Sequence, residues 1–270
     1  MDNRRLAALG FATRLYRRKA VRVCALALCI VGLSTSCAPS AHGDDPNPAV
    51  SIIERAIKAH GGVENLVKTH LMMRRATGTM SFFGQEIPFS DELTLQLPNK
   101  SRLVVEGRPE GKKTKFTIVC RGDKAWQETG GTVTEMTKDR LQVIQDELYV
   151  LWVASLAPLK TEKGFSFIAL ADTKVGDRDA TSVLVSRQGR VDLKLAFDKP
   201  TGLLLKIERR AKQGGIPIDK EYFYSGYQRV GGVELPSKYA EKESGKKVGD
   251  VTSIEYRFLS RVDNSMFEKP

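Results

Sequence analysis

Residues 137–159, TKDRLQVIQDELYVLWVASLAPL, constrain the fold more than any other stretch. They form the longest helical pattern beyond residue 48, and strand-like segments lie on both sides of them. Leu141, Ile144, Leu148, Leu151, Trp152 and Ser155 recur at three- and four-residue spacing, with Lys138, Asp139, Arg140, Gln145 and Glu147 at early polar positions. That spacing predicts an amphipathic helix. From Leu148 to Leu159 the pattern is apolar almost all round, so a broad surface must cover it, and a curved sheet built from the flanking segments is the best candidate. Pro158 is expected to stop the helix. Two roles stay open for it: an ordinary core helix, or a plug or lid over an apolar cavity.

Upstream, Val50, Ile53, Ala56 and Ile57 predict a helix over 48–59, started at Asn47 or Pro48 and stopped by Gly61-Gly62. His60 falls at its C-terminus, where a partial positive charge is favourable, and is read as structural before catalytic. From Leu71 the period changes to two. Segments 71–83, 86–97, 102–106, 115–121, 125–128 and 132–136 read as strands separated by Gly, Pro and Asn turns. After the helix the pattern resumes over 165–174, 182–187, 191–198, 203–211, 220–229, 237–243 and 251–259. Leu93, Leu95 and Leu97 share one face, as do Phe116, Ile118 and Cys120, which makes Cys120 a small buried apolar residue.

Several segments have seven or more residues, so each spans more than ~20 Å, and a sheet of so many long strands must curl. The expected architecture is mainly β with α (α+β): one curved antiparallel sheet forming an open half-barrel, covered by an N-terminal helix and a central helix.

The 270 residues carry a net charge of +11, enough chain for one sizeable domain plus a leader. Residues 1–37 hold seven basic residues (Arg4, Arg5, Arg14, Arg17, Arg18, Lys19, Arg22) and the acid Asp2, so the leader has +6 of the +11 and the rest only +5. A nucleic-acid partner loses most of its support, because the remaining basic residues are scattered through alternating segments. Arg14 to Arg22 form a positive stretch and Val23 to Leu33 an apolar run too short to span a membrane, which together read as an export signal. Leu33-Ser34-Thr35-Ser36-Cys37 resembles a bacterial lipoprotein box, with the large aliphatic residue one place early; cleavage after Ala38, Ala41 or Gly43 is the rival reading. The expected organisation is a signal over 1–37 with Cys37 as the lipidation candidate, a tether over 38–47 and one domain over 48–270.

Chemistry-bearing motifs are missing from the sequence. It has no nucleophile elbow, phosphate loop, dinucleotide fingerprint or metal-ligand spacing among His42, His60, His70 and the cysteines, so no cofactor or metal is expected. Asp91-Glu92 and Asp146-Glu147 are adjacent carboxylates; side chains of adjacent residues diverge, so solvated charge is the expected role. Aromatic and aliphatic residues, by contrast, are plentiful for a sheet with so few helices, and a curved sheet can leave a hollow that suits a lipid chain.

Three segments carry a family resemblance: Ile53 to Gly62 (IERAIKAHGG) running on to Leu66, Phe197 to Leu205 (FDKPTGLLL), and Tyr222 to Tyr239 (YFYSGYQRVGGVELPSKY), followed by Val262-Asp263-Asn264 and Phe267-Glu268-Lys269-Pro270. With the order helix, meander, helix, meander, the chain resembles the outer-membrane lipoprotein-sorting and periplasmic lipoprotein-carrier superfamily (LolA/LolB-like). The resemblance implies an incomplete barrel closed by helices, a non-enzymatic role in shielding acyl chains, an acyl lipid or lipoprotein as partner, and a place in the bacterial cell envelope. An envelope-anchored scaffold or interaction lipoprotein with no cavity ligand is the alternative reading, and a hydrolase comes after it. Burial is worth ~0.8 kcal/mol per CH₂, so a 14-carbon chain offers ~10 kcal/mol. Leu148, Leu151 and Trp152 would then line the helix side of the cavity, with Leu93, Leu95, Phe116, Ile118, Phe165 and Phe167 on the sheet side.

Overall fold

The computed structural model describes residues 47–82, 85–213 and 215–270. The expected leader, Cys37 and all of the tether but Asn47 lie outside those residues.

Helix α1, Pro48–Ala59, starts where the sequence places it: Asn47 accepts the Ala49 N–H at 3.0 Å and Pro48 occupies the first turn, where it lacks no bond. It ends on Gly61, whose φ is +112° and where an added Cβ would lie 2.1 Å from the Gly232 carbonyl oxygen, so only glycine fits. A short helix α2, Val63–Leu66, and a 3₁₀ turn, Val67–His70, then lead into the first strand.

Thirteen strands follow, close to the thirteen segments of alternating pattern. The first six are β1 Leu71–Phe82, β2 Gln85–Gln96, β3 Lys100–Gly107, β4 Thr114–Arg121, β5 Lys124–Thr129 and β6 Thr132–Glu135. The other seven are β7 Phe165–Val175, β8 Arg178–Arg187, β9 Leu193–Asp198, β10 Leu204–Gln213, β11 Ile216–Val230, β12 Val233–Glu243 and β13 Lys246–Phe258. They form one antiparallel sheet in the order β6-β5-β4-β3-β2-β1-β13-β12-β11-β10-β9-β8-β7. Each meander is built from sequential hairpins, and the two are joined by the β1–β13 ladder between the ends of the domain. β6 and β7 are left as the free edges.

The segment from β6 to β7 must therefore travel from one edge to the other. It contains α3, Lys138–Ala154, capped by Thr137, and α4, Pro158–Thr161. The expected single helix over 137–159 is thus broken. Its last turn closes at Ser155, whose hydroxyl bonds the Trp152 carbonyl at 2.6 Å, and Leu156 adopts φ +62° with none of its surface exposed. A proline at 158 of a continuous helix would remove a bond and crowd the carbonyl of Ala154. Pro158 instead opens α4, at a position that needs no N–H.

Residues opposite each other in a ladder point to the same face, so the register can be followed across the sheet. Leu93 aligns with Leu103 and Ile118 on one side and with Arg74 and Tyr256 on the other. The next row runs Phe116, Val105, Asp91, Ala76, Ile254. Gly78 and Val251 continue it to Tyr239 and Tyr224, and from Tyr222 it passes through Ile207, Leu195 and Val183 to Ala169. Both long helices pack on this one face, called inner below. Ala49, Ile53, Ala56 and Ile57 of α1 and Tyr149, Val150 and Val153 of α3 share a cluster with Val183, Val185, Leu193, Leu195, Phe197 and Ile207. Leu148 joins a second cluster with Met72, Leu93, Leu95, Leu97, Cys120 and Ala125, and burial there pushes the Cys120 thiol up to about 11.

Two polar contacts of α3 show that the sheet is not flat. The Gln145 side chain donates to the Gly122 carbonyl beyond β4 at 2.8 Å, and two residues on, Glu147 accepts from Arg209 on β10 at 2.6 Å. β4 and β10 stand seven strand spacings apart in the sheet order, ~34 Å if laid flat. Side chains on one helical turn cannot reach that far, so the sheet curls around α3.

Candidate functional site

The inner face holds all six sheet residues expected to line a cavity: Leu93 and Leu95 on β2, Phe116 and Ile118 on β4, and Phe165 and Phe167 on β7. Leu148, Leu151 and Trp152 of α3 meet them unevenly. Leu93, Leu95 and Leu148 are buried together, with Leu151 and Trp152 packed at the border of their cluster. Trp152 also borders the α1 cluster and leads into an aromatic row: its ring is 5.7 Å from that of Phe165, which stacks on Phe167 at 6.3 Å. Phe116 and Ile118 share the face but join neither cluster. Large inner-face side chains between sheet and helices stay only half-buried, among them Leu103, Trp152, Phe165, Phe167, Tyr224 and Tyr256.

The inner face is not uniformly apolar, and here the sequence reading of the carboxylate pairs needs correction. Asp91 and Glu92 diverge as expected. Glu92 meets Arg75 on the outer surface at 2.9 Å, but Asp91 is buried on the inner face, its Oδ2 3.5 Å from Arg74. Burial raises the Asp91 carboxyl, more than Arg74 lowers it, and both Asp91 Oδ1 and Arg74 Nε are buried without a hydrogen-bond partner. The alternation that placed Leu93 and Leu95 inside carried this information, since Asp91 is two residues further along the same face.

Glu147 is likewise not a solvated charge. Its carboxylate accepts from Arg209 at 2.6 Å, Lys220 at 2.9 Å and the Tyr222 hydroxyl at 2.8 Å. Burial works to raise it, but Lys220 and Arg209 outweigh this and hold it below the usual carboxylate range. Lys220 also pairs with Glu241 at 2.7 Å and Glu243 at 3.4 Å, so the middle of α3 is tied to β10, β11 and β12. Asp146, its neighbour, takes a hydrogen bond from Gln142 at 2.8 Å.

His60 has the structural role expected of it in another protonation state. Its Nδ1 lies 2.8 Å from the Ala56 carbonyl and its Nε2 accepts the Leu204 N–H at 3.3 Å, which together require the neutral ring with its proton on Nδ1. Burial, against the pull of the Ala56 carbonyl, lowers its pKa below 6.5. The imidazole therefore acts as a neutral rivet between α1 and β10, not as a cation on the helix end.

A shallow depression of about 480 Å³ lies on the opposite, outer face of β1, β2, β3 and β13, lined by Arg75, Glu92, Arg102, Glu106 and Lys115 among others. Its charges largely neutralise one another, through Arg75–Glu92 at 2.9 Å and Lys115–Glu106 at 3.6 Å. Among the described residues no group of three His, Cys, Asp or Glu could hold a metal ion, and no helix is long and apolar enough to cross a membrane.

No protein-family model matches the chain, and no curated protein matches it by sequence. Solved structures do. A LolA superfamily protein from Nitrosomonas europaea is 14% identical, with a TM-score of 0.51 over 82% of this chain and 97% of its own. A domain from Vibrio parahaemolyticus described as an outer membrane lipoprotein-sorting protein is 12% identical, with a TM-score of 0.50 over 82% of this chain and 96% of its own. A DUF1329 family protein from Desulfovibrio piger is 11% identical, with a TM-score of 0.53 over 82% of this chain and 98% of its own. The open thirteen-strand sheet of the described residues is thus similar in fold to a LolA superfamily protein and to a lipoprotein-sorting domain.

Proposed function

We propose that this protein binds an acyl lipid or the acylated end of a lipoprotein in the bacterial cell envelope, without catalysis. The chain would lie between α3 and the inner face of a half-barrel, against the half-buried Ile118, Leu151, Trp152, Phe165 and Phe167, with the buried Leu93, Leu95, Phe116 and Leu148 packed behind them. The observation that carries this reading is the half-buried row Trp152, Phe165, Phe167: large rings on the inner face, beside a helix, whose remaining surface is not used in packing. A soluble domain gains by covering such rings, and an acyl chain supplies the apolar partner. The likeness in fold to a lipoprotein-sorting domain supports the same reading. The expected leader and Cys37 would place the protein outside the cytoplasm, tethered if Cys37 is acylated and released if cleavage falls beyond it.

A second reading is an envelope scaffold that captures a partner protein on the free edge strand β7, where Ile168 is 57% exposed. Mass spectrometry of the protein purified from its native membrane, intact and after organic extraction, separates the two. Acyl lipid near one per chain, lost on Leu151→Glu, is the expected result. A lipid-free protein that copurifies with a partner, and loses it on Ile168→Lys, would overturn lipid binding in favour of the scaffold. The intact mass also reads the state of Cys37.

A further inference from the structure

The inner-face cations Arg74, Arg209 and Lys220 each pair with a carboxylate. Arg187, at the end of β8 and aligned with Phe165, does not. Its guanidinium carbon sits 4.9 Å from the centre of the Trp152 ring and 4.8 Å from that of Phe165, so the group is held between two rings. Among the described residues no carboxylate lies within ion-pair distance of it, and Nη1 is buried with no hydrogen-bond partner. Beside it Tyr149 of α3 is only 3% exposed, and its hydroxyl is also buried and unpartnered. Arg190, in the turn after β8, lies 5.6 Å from the Tyr149 ring and adds a second positive charge. The acid Asp192 is near enough to act on Tyr149. Arg187 and Tyr149 thus each offer a buried, unused donor, with the Arg190 charge beside them, at the end of the aromatic row.

From this geometry we infer that Arg187, Arg190 and Tyr149 seat the oxyanion headgroup of an amphiphile whose tail runs along Trp152, Phe165 and Phe167. The inference rests on the acyl-binding reading and narrows it to ligands with a carboxylate or phosphate at the head. A buried guanidinium edge and a buried hydroxyl without partners are costly, and an oxyanion satisfies both with charge-assisted hydrogen bonds. Arginine stacked between rings loses little freedom on forming those bonds. A neutral alcohol head would use the same apolar row and leave most of the donors unmet.

The test is a fluorescence titration of the full-length chain, freed of detergent, with dodecanol, dodecanoate, dodecyl phosphate and inorganic phosphate. Dodecyl phosphate or dodecanoate should bind at least about tenfold more tightly than dodecanol, and inorganic phosphate far more weakly than either. Which of the two leads identifies the head as phosphate or carboxylate. Arg187→Gln should remove most of the preference, read as the ratio of charged-probe to dodecanol affinity, whatever it does to dodecanol binding itself. Arg190→Gln, at an exposed position where folding is not at issue, should weaken the preference in the same direction. Dodecanol binding as tightly as the charged probes, or a preference that survives both substitutions, would overturn the inference and leave acyl binding standing. Inorganic phosphate binding as tightly as dodecyl phosphate would overturn the link to a tail. Failure of all four probes to bind would overturn both this inference and the acyl-binding reading.

Discussion

Helices α1 and α3 lie on the same face of the same sheet and are attached to it in different ways. α1 buries a clean stripe of small and branched residues, Ala49, Ile53, Ala56 and Ile57, and is closed at its end by the neutral His60 bond to β10. α3 buries Leu148, Tyr149, Val150 and Val153, yet leaves Leu141, Ile144, Leu151 and Trp152 half-buried and holds on through side-chain polar contacts at Arg140, Gln145 and Glu147. Apolar packing that is complete makes a seal. A helix fixed by polar contacts at intervals, with half-buried apolar surface left between them, is held more like a strap. The topology gives the reason: α3 belongs to the connection between the two free edges β6 and β7, so it must cross the inside of the curl.

The contrast can be broken most forcefully at α1. Ile53→Ala removes fully packed methyl groups, and the expected loss is about 3 kcal/mol in urea unfolding. A loss as small as that at Leu151 would mean α1 is no better packed than α3. Next comes Glu147→Gln, which leaves Arg209 and Lys220 facing a neutral amide; Lys220 keeps Glu241 and Glu243, and the site is partly wet, so about 2 kcal/mol is expected. The same variant should raise hydrogen exchange in α3 while leaving α1 protected, and equal exchange in both helices would count against separate attachments.

The two anchors also titrate in different windows. His60 has a lowered pKa in the folded state, so the unfolded chain takes up its proton first as pH falls through 6.5. The stability tied to neutral His60 is complete above 6.5 and is lost as pH falls from there toward the folded value. Glu147 is held below the ordinary 4.5, so its contribution is present above 4.5 and is lost only as pH falls below that, through the folded value. Urea midpoints measured across mildly acidic pH should therefore drop in two stages. His60→Asn should flatten the upper stage alone and Glu147→Gln the lower alone; a single stage unaffected by either would show that neither group anchors a helix. The smallest effect is expected at Leu151→Ala, about 1 kcal/mol or less, because the side chain is only half-buried. A larger loss would mean the strap is packed shut.

Much of this was legible in the chain before any coordinates. Alternation located all thirteen strands and put Leu93, Leu95, Phe116 and Ile118 on one face, because a period of two is a local property. The boundaries of α1 followed from Asn47, Pro48 and the Gly61-Gly62 pair, whose chemistry is local as well. What could not be read was long-range. Glu147 finds Arg209 and Lys220 on strands 62 and 73 residues away, and nothing local marks such partners. The β1–β13 ladder, which turns two meanders into one sheet, depends on both ends of the domain meeting. Arg187 closes the segment 182–187, and nothing local marks the rings of Trp152 and Phe165 as its neighbours. The break at Leu156 was missed because the sequence there is apolar and helix-compatible up to Pro158; burying Leu156 decided it.

The central claim is that an acyl chain fits between α3 and the inner face, and the two tryptophans allow a direct test. Trp152 packs against the inner-face clusters, whereas Trp126, aligned with Val119, Arg102 and Thr94, points to the opposite face. Fluorescence quenching by a terminally brominated dodecyl chain should be measured in Trp126→Phe and Trp152→Phe proteins. Saturable quenching of Trp152 with Trp126 untouched is the expected result. Trp152 unquenched at chain concentrations that saturate long-chain binders, or both tryptophans quenched alike, would contradict it.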